Sequence, residues 1–342
     1  MKGQKKRNSA TLGYTLALIA GLCVLLGMKM CTESRQYKRC SGIVWTTQYN
    51  ITYDSDRVFD DSIQSVFAAV DNSLSMYNKS SVISRINRGE DLSVDTMLTH
   101  IYEASVKVHQ ETEGAFDPTV SPLMRVWGFV EKGGDAPSAV QIDSIMQFVG
   151  LEHTSLSGGK IVKTDSRTAF DFSAIAKGYA CDEVGRMLER NGVKNYLVEI
   201  GGEITLKGKN PSGTEWLVSV DRPIESNTSV VHDNMLVVGM NDGAIATSGN
   251  YRNYKDIDGK KVVHTMNPKT GYPEETNLLS VTIVADNCML ADAYATACMV
   301  MGAERSKSFL ESHSNIGGFI VYTEEADSMV TWSNDRFNGL VR

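Results

Sequence analysis

Proline is scarce in this 342-residue chain, at seven residues, and cysteine is scarcer at six, with no C-x-x-C pair and no cysteine–histidine cluster. So few prolines beside 29 glycines exclude a collagen-like or low-complexity polymer, and the cysteine spacing leaves no readable zinc site. Cys23 and Cys31 fall in or beside an N-terminal apolar stretch, while Cys181, Cys288 and Cys298 are expected to be buried free thiols. Also missing are a Walker A loop, G-x-G-x-x-G, H-E-x-x-H and G-x-S-x-G, and with them the chemistries those signatures carry. Positive charge is in short supply, with 34 basic against 41 acidic residues. Eight of the basic residues, with the single acid Glu33, lie in residues 1–40, so residues 41–342 carry a net charge of −14. That field excludes nucleic acid as a bulk partner, because phosphate backbones need clustered Lys and Arg. A smaller phosphate ligand would need a metal ion or a few local cations to offset it.

The chain does have one long uncharged run. Lys2, Lys5, Lys6 and Arg7 precede 21 uncharged residues from Asn8 to Met28, rich in Leu, Ile and Val. At about 1.5 Å per residue such a helix spans roughly 30 Å, the depth of a bilayer core. The basic flank predicts a cytoplasmic N-terminus and an exported body. Met28-Lys29-Met30 makes a poor cleavage site, which favours a retained anchor over a signal peptide. The expected organisation is therefore residues 1–40 as an inner-membrane anchor and linker, with residues 41–342 as an exported body in the periplasm.

Helical spacing of Ile63, Val66, Phe67, Val70 and Leu74 predicts a helix capped by Asp60 or Asp61, and a second runs from Asp95 to about Gln110. Thr168–Phe172 reads as a strand feeding a helix from about Ala174 to Arg190. Further strands are expected at Tyr196–Ile200, Trp216–Val220, Met235–Gly239, Val262–Thr265, Leu278–Ala285 and Gly317–Tyr322, with a helix over Cys288–Met301. A turn is expected at Lys132–Pro137. This interleaving without an internal repeat predicts an α+β (mixed α/β) fold in a single compact body.

Four segments have residues suited to chemistry, each with a plain structural alternative. Asp171–Tyr179 joins small residues and Lys177 to a helix start, which suits a phosphate or simply a tight packing turn. Asp292 and Thr296 are four apart on one helical face, a pairing suited to Mg²⁺ or to a side-chain hydrogen bond. His264–Pro273 leads a strand into a Pro/Gly turn, leaving His264 near a loop. Gly114–Phe129 has prolines that set an extended path, with aromatics around Asp117, and suits a pocket for a flat ring or a rigid loop. A rival pattern, Ser157–Lys160, Ser248–Asn250 and Lys269–Gly271, reproduces the order of motifs in acyl-serine penicillin-binding enzymes. That nucleophile should open a helix, whereas Ser157 sits in a glycine-rich turn.

Taken together, these segments resemble the ApbE family, the FAD:protein FMN transferases. The resemblance runs from about Val44 to Phe319 and also takes in Tyr77–Asn87, Glu199-Ile200-Gly201-Gly202-Glu203 and Ser248-Gly249-Asn250-Tyr251. It implies that Trp45, Tyr77, Ala115, Phe116, Asp117, Asp171, Lys177, His264, Thr265 and Met266 bind the flavin dinucleotide. It further implies that the Ala174 carbonyl, Asp292 and Thr296 hold Mg²⁺. An acceptor hydroxyl is a weak nucleophile that needs a base or the metal to lose its proton, and Asp292 and His264 are the groups expected to give that help. Trp45 and Thr46 replace a segment that usually reads Met-Gly or Phe-Gly, and Asn267 stands where Asp is frequent. The implied reaction moves FMN from FAD onto a Ser or Thr of an exported or membrane redox protein, releasing AMP. Hydrolysis of FAD by water and non-catalytic flavin binding are the neighbouring readings.

Overall fold

Alternation of buried Tyr49, Ile51 and Tyr53 with polar neighbours makes β2 (Thr47–Asp54) a strand with one face inward. It follows β1 (Tyr37–Val44) through Trp45 and Thr46, whose φ values of 47° and 66° are those of a two-residue hairpin turn. The computed structural model describes residues 36–130, 136–223, 233–250, 254–257, 260–274, 276–324 and 328–342. The apolar run at 8–28 and the turn residues 132–135 lie outside them. Among the described residues no helix is long and apolar enough to cross a membrane.

Helix α1 (Asp60–Leu74) buries Ile63, Phe67, Val70 and Leu74. Its N-cap is Phe59 without a side-chain bond, so Asp60 and Asp61 occupy the first turn and act on the helix dipole rather than as caps. Helix α2 (Val82–Arg88) starts at a Ser81 cap, and α3 (Thr96–Glu111) starts where Asp95 accepts from the Leu98 N–H. The extended path expected through Pro122 is instead a short helix, α4 (Ser121–Val126). Proline there falls in the first turn, where its missing N–H costs nothing. Helix α5 (Ala139–Met146) and a hairpin of β3 (Thr154–Ser157) and β4 (Lys160–Lys163) follow.

Thr168–Phe172 is not a strand and makes only an isolated bridge between Ala169 and Val120. The Asn87 amide both donates to the Phe170 carbonyl and accepts from its N–H, each at 2.8 Å, taking the place of a neighbouring strand. Next come α6 (Ser173–Arg190), β5 (Tyr196–Ile200) and β6 (Glu203–Lys207). A second hairpin pairs β7 (Trp216–Asp221) with β8 (Asn234–Met240), and β9 (Asp242–Gly249) follows it. Strand β10 (Tyr254–Ile257) pairs with β11 (Lys260–Val263), which stops one residue short of His264. The chain closes with β12 (Leu278–Ala285), α7 (Cys288–Ser312), β13 (Gly317–Thr323), β14 (Met329–Ser333) and α8 (Asp335–Asn338). Helix α7 breaks at Gly302 (φ 76°, ψ 174°), where the expected helix also ended.

The body Lys38–Arg342 is one unit built on an eight-stranded sheet, ordered β1-β2-β5-β6-β9-β12-β13-β14. From β2 to β14 the pairings are antiparallel. Helix α6 packs on β5 and β6, α7 packs on β9 and β12, and the two helices pack on each other. The α+β reading of a single mixed body therefore holds.

Candidate functional site

The N-terminus of α6 and the first turns of α7 meet because small residues let them. A Cβ on Gly178 would lie 2.2 Å from the Cys288 carbonyl oxygen, so only glycine allows this approach. Asp182, one turn further along α6, accepts from the Cys288 and Met289 N–H groups at 2.9 Å each and satisfies the start of α7. In return, Asp292 of α7 accepts from the Gly178 N–H at 3.1 Å. These contacts bring Ala174, Asp292 and Thr296 to one cavity of about 470 Å³.

Each wall of that cavity comes from a different element. Ala115, Phe116 and Asp117 line one side, joined to the next wall by the Asp171 N–H, which donates to the Pro118 carbonyl at 2.6 Å. Asp171, two residues before α6, and Lys177 within it line the next side, and His264, Thr265 and Met266 line it from the segment after β11. Eleven of the thirteen residues singled out from sequence thus share one space. The other two do not line it. Trp45 packs edge-on against Phe67, with ring centroids 5.6 Å apart, and Tyr77 is exposed. Partial desolvation of its hydroxyl and then the field of the Asp171 carboxylate raise Tyr77 above its ordinary value.

Electrostatically the cavity is a lysine among acids. Burial pushes Asp117, Asp171 and Asp292 above the usual carboxylate range, opposed at Asp292 by Lys177 and the Gly178 N–H. Desolvation alone would lower the Lys177 ammonium, but Glu203 and Asp292 outweigh it and hold the ammonium above its ordinary value. Lys177 Nζ forms an ion pair with Glu203 Oε1. The Ser248 and Thr296 hydroxyls lie 3.4 Å apart, and Thr265 donates to Asn250 Oδ1 at 2.7 Å.

Among the described residues, His109, Asp117 and Glu152 group closely enough to suggest a metal site. The hydrogen bonds assign it another role. His109 Nδ1 lies 2.9 Å from the Phe116 carbonyl, and the Asp117 oxygens accept from Thr119 and Leu151, so the cluster shapes the Ala115–Asp117 wall. The acyl-serine pattern also dissolves. Ser157 sits on an exposed hairpin opposite Lys160, away from a helix start, and of the three motifs only Ser248 and Gly249 reach the cavity.

Sequence reasoning missed Ser219, Val220 and Asp221 of β7, and Met299 and Val300 of α7, which also line the cavity. Nothing in a plain strand such as Trp216–Asp221 marks one end as a pocket wall. Glu203 had a signal, as an acid directly after a Gly-Gly turn, but no role was drawn from it.

Comparison with known proteins places this geometry. Residues 45–320 match the ApbE family model. The FAD:protein FMN transferase of Escherichia coli K12 is 35% identical over 292 residues, covering 82% of this chain and 81% of that protein. The FAD:protein FMN transferase of Vibrio cholerae is 34% identical over 321 residues, covering 91% and 94%. Among solved structures, the flavin transferase ApbE from Vibrio cholerae superposes with a TM-score of 0.79 at 31% identity, covering 90% of this chain and 99% of that one. The apo flavinyl transferase ApbE of Pseudomonas stutzeri gives 0.80 at 30% identity, covering 90% and 97%. The chain therefore belongs to the ApbE family and is an enzyme of the transferase class.

Proposed function

We propose that this protein is an FAD:protein FMN transferase, moving FMN from FAD onto a Ser or Thr hydroxyl of an acceptor redox protein and releasing AMP. The observation that carries this reading is the convergence of the α6 N-terminus, Lys177 and the Asp292/Thr296 pair on one cavity. A helix N-terminus and an ammonium favour a pyrophosphate in an otherwise acidic body. The donor set fits a hard divalent cation, since the Ala174 carbonyl, the Asp292 carboxylate and the Thr296 hydroxyl offer only oxygen. These three would hold Mg²⁺, which when bound supplies charge neutralisation at the pyrophosphate.

The remaining steps belong to the chain's own side chains. Phe116 and Met266 offer apolar surface to a flat ring, and Asp171 and Lys177 hold the polar part of the dinucleotide. The acceptor hydroxyl loses its proton to a base, for which the ring nitrogen of His264 and the Asp292 carboxylate are the two candidates in the cavity. The hydroxyl oxygen then bonds to the FMN phosphorus while the bridging P–O bond breaks, and AMP keeps the bridging oxygen. Exclusion of water from this step is what separates transfer from hydrolysis of FAD.

The acceptor is read as an exported or membrane protein because the uncharged run Asn8–Met28 after four basic residues supports an inner-membrane anchor with the body in the periplasm. Protease added to intact spheroplasts should then degrade the body, and survival of the body until lysis would overturn the location. For the reaction, the body incubated with FAD, Mg²⁺ and an acceptor domain should give a flavin-fluorescent band on a denaturing gel. FMN and AMP released without acceptor would establish a pyrophosphatase instead, and FAD bound without AMP a carrier.

A further inference from the structure

Glu203 is buried to 4% exposure at the tip of the β5–β6 hairpin and lines the cavity. Gly201 and Gly202, with φ of 63° and 100°, make the turn, and Glu203 pairs across it with Ile200. The turn has little freedom: a Cβ on Gly201 would meet Thr47 Oγ1 at 2.7 Å, and the Gly202 N–H donates to Glu199 Oε1 at 2.9 Å. From α6, the Cys181 thiol donates to the Glu203 carbonyl at 3.2 Å, so backbone and side chain of Glu203 both grip one face of that helix. Oε1 meets the Lys177 ammonium, while Oε2 is buried with no hydrogen-bond partner among the described residues.

An arrangement selected for stability alone would not look like this. A buried ion pair seldom stabilises more than apolar packing of the same volume, and an orphaned buried carboxylate oxygen costs further. The pair also stands beside a third charge, Asp292, which opposes ionisation of Glu203. What the arrangement does achieve is to hold a long, flexible ammonium in one place at the cavity wall.

We propose that Glu203 is a positioning residue that orients the Lys177 ammonium toward the phosphates of the dinucleotide and acts on the ligand through Lys177. This rests on the reading of FAD as the ligand. Geometry and charge give opposite signs, which makes the inference testable. By its field alone, removing the Glu203 charge makes the cavity more positive and should tighten binding of an anion. By its positioning role, the same change releases Lys177 and weakens binding.

The test is titration of FAD fluorescence, with Mg²⁺ present, for the intact protein and its Lys177→Met, Glu203→Gln, Glu203→Asp and Lys177→Met/Glu203→Gln variants. Melting curves show which variants are folded. We expect Lys177→Met to weaken binding about tenfold or more, and Glu203→Gln to weaken it several-fold despite the lost negative charge. Glu203→Asp keeps the charge but falls short of Lys177, so it should lose affinity too. The double variant should be no weaker than Lys177→Met, because the second change acts only through the first. Tighter binding by Glu203→Gln, wild-type binding by Glu203→Asp, or losses that multiply in the double variant would overturn the positioning role. Should Glu203→Gln fail to fold, Glu203→Asp and its double with Lys177→Met decide the matter alone. If the wild type binds no FAD, the functional reading itself fails, and the Glu203 role fails with it. If it binds FAD but transfers nothing, only the functional reading fails.

Discussion

Gly178 and Asp292 are joined backbone to side chain across two helices: the Gly178 N–H donates to Asp292 Oδ2 at 3.1 Å, on the side of α6 that touches the Cys288 carbonyl. One residue thus sets both how closely α6 and α7 approach and where the carboxylate points. Gly178→Ala would place a methyl 2.2 Å from a backbone oxygen that cannot rotate away. Overpacking of this kind typically costs about 1–3 kcal/mol, and here it also pulls Ala174 away from Asp292. Urea unfolding should show the loss, and FAD affinity should fall with it. A variant of wild-type stability would mean the helices can separate freely.

Removal of the Asp292 charge tests the cation reading without any assay of turnover. A ligand that binds only the native state raises its stability, by about 2.7 kcal/mol at a hundred times its Kd. With FAD or ADP present, Mg²⁺ should therefore raise the melting temperature of the wild type and leave that of Asp292→Asn unmoved. An equal rise in both proteins would take Asp292 out of the cation site, as would an acceptor band of undiminished fluorescence with Asp292→Ala.

Asp182 predicts a pH dependence of stability. Burial pushes its carboxyl up to about 6, against the pull of the Met289 and Cys288 N–H groups and of Arg186. The native state then binds this proton more tightly than the unfolded chain does, so the Asp182 contribution to stability falls as pH rises from about 4 to about 6. Asp182→Asn should flatten that part of the curve in chemical unfolding at a series of pH values. It should also lower stability overall, because an amide nitrogen cannot accept from the start of α7. An unchanged slope between pH 4 and 6 would assign the titration elsewhere.

Tyr294 ties α7 to α3 through its hydroxyl, which donates to Glu111 Oε2. Tyr294→Phe keeps the buried ring and removes the bond, at an expected cost of about 1.5–3 kcal/mol for a hydrogen bond to a charged acceptor. Denaturant midpoints report the loss, and affinity for FAD should stay within about twofold. A large drop in affinity would make this tie part of the site rather than of its scaffold.

Much of the fold was legible wherever local pattern and tertiary environment agree. Tyr196–Ile200 and Leu278–Ala285 are strands over the very residues expected, because their β-branched and aromatic runs are buried in the sheet. The helix ending before Gly302 was legible for a local reason, since glycine takes a positive φ that other residues resist. Thr168–Phe172 misled because its strand-like composition is answered by the Asn87 amide, 83 residues away in sequence. Pro122 misled because proline is compatible both with an extended path and with a helix start.

The candidate site divides along the same line. Sequence by itself determined which groups are present: Asp292 and Thr296 one helical turn apart, Lys177 among small residues near a helix start, and an acidic body that needs a local cation for any phosphate ligand. These follow from helix periodicity and from counting charge, which are properties of the chain. Only the tertiary structure decided that Glu203 faces Lys177, that β7 supplies a wall, and that Trp45 packs on Phe67 instead of lining the cavity. Those relationships join residues separated by 22 or more positions in the chain. Their distances are set by how helices and sheet pack, and close packing depends on the whole set of side chains at once.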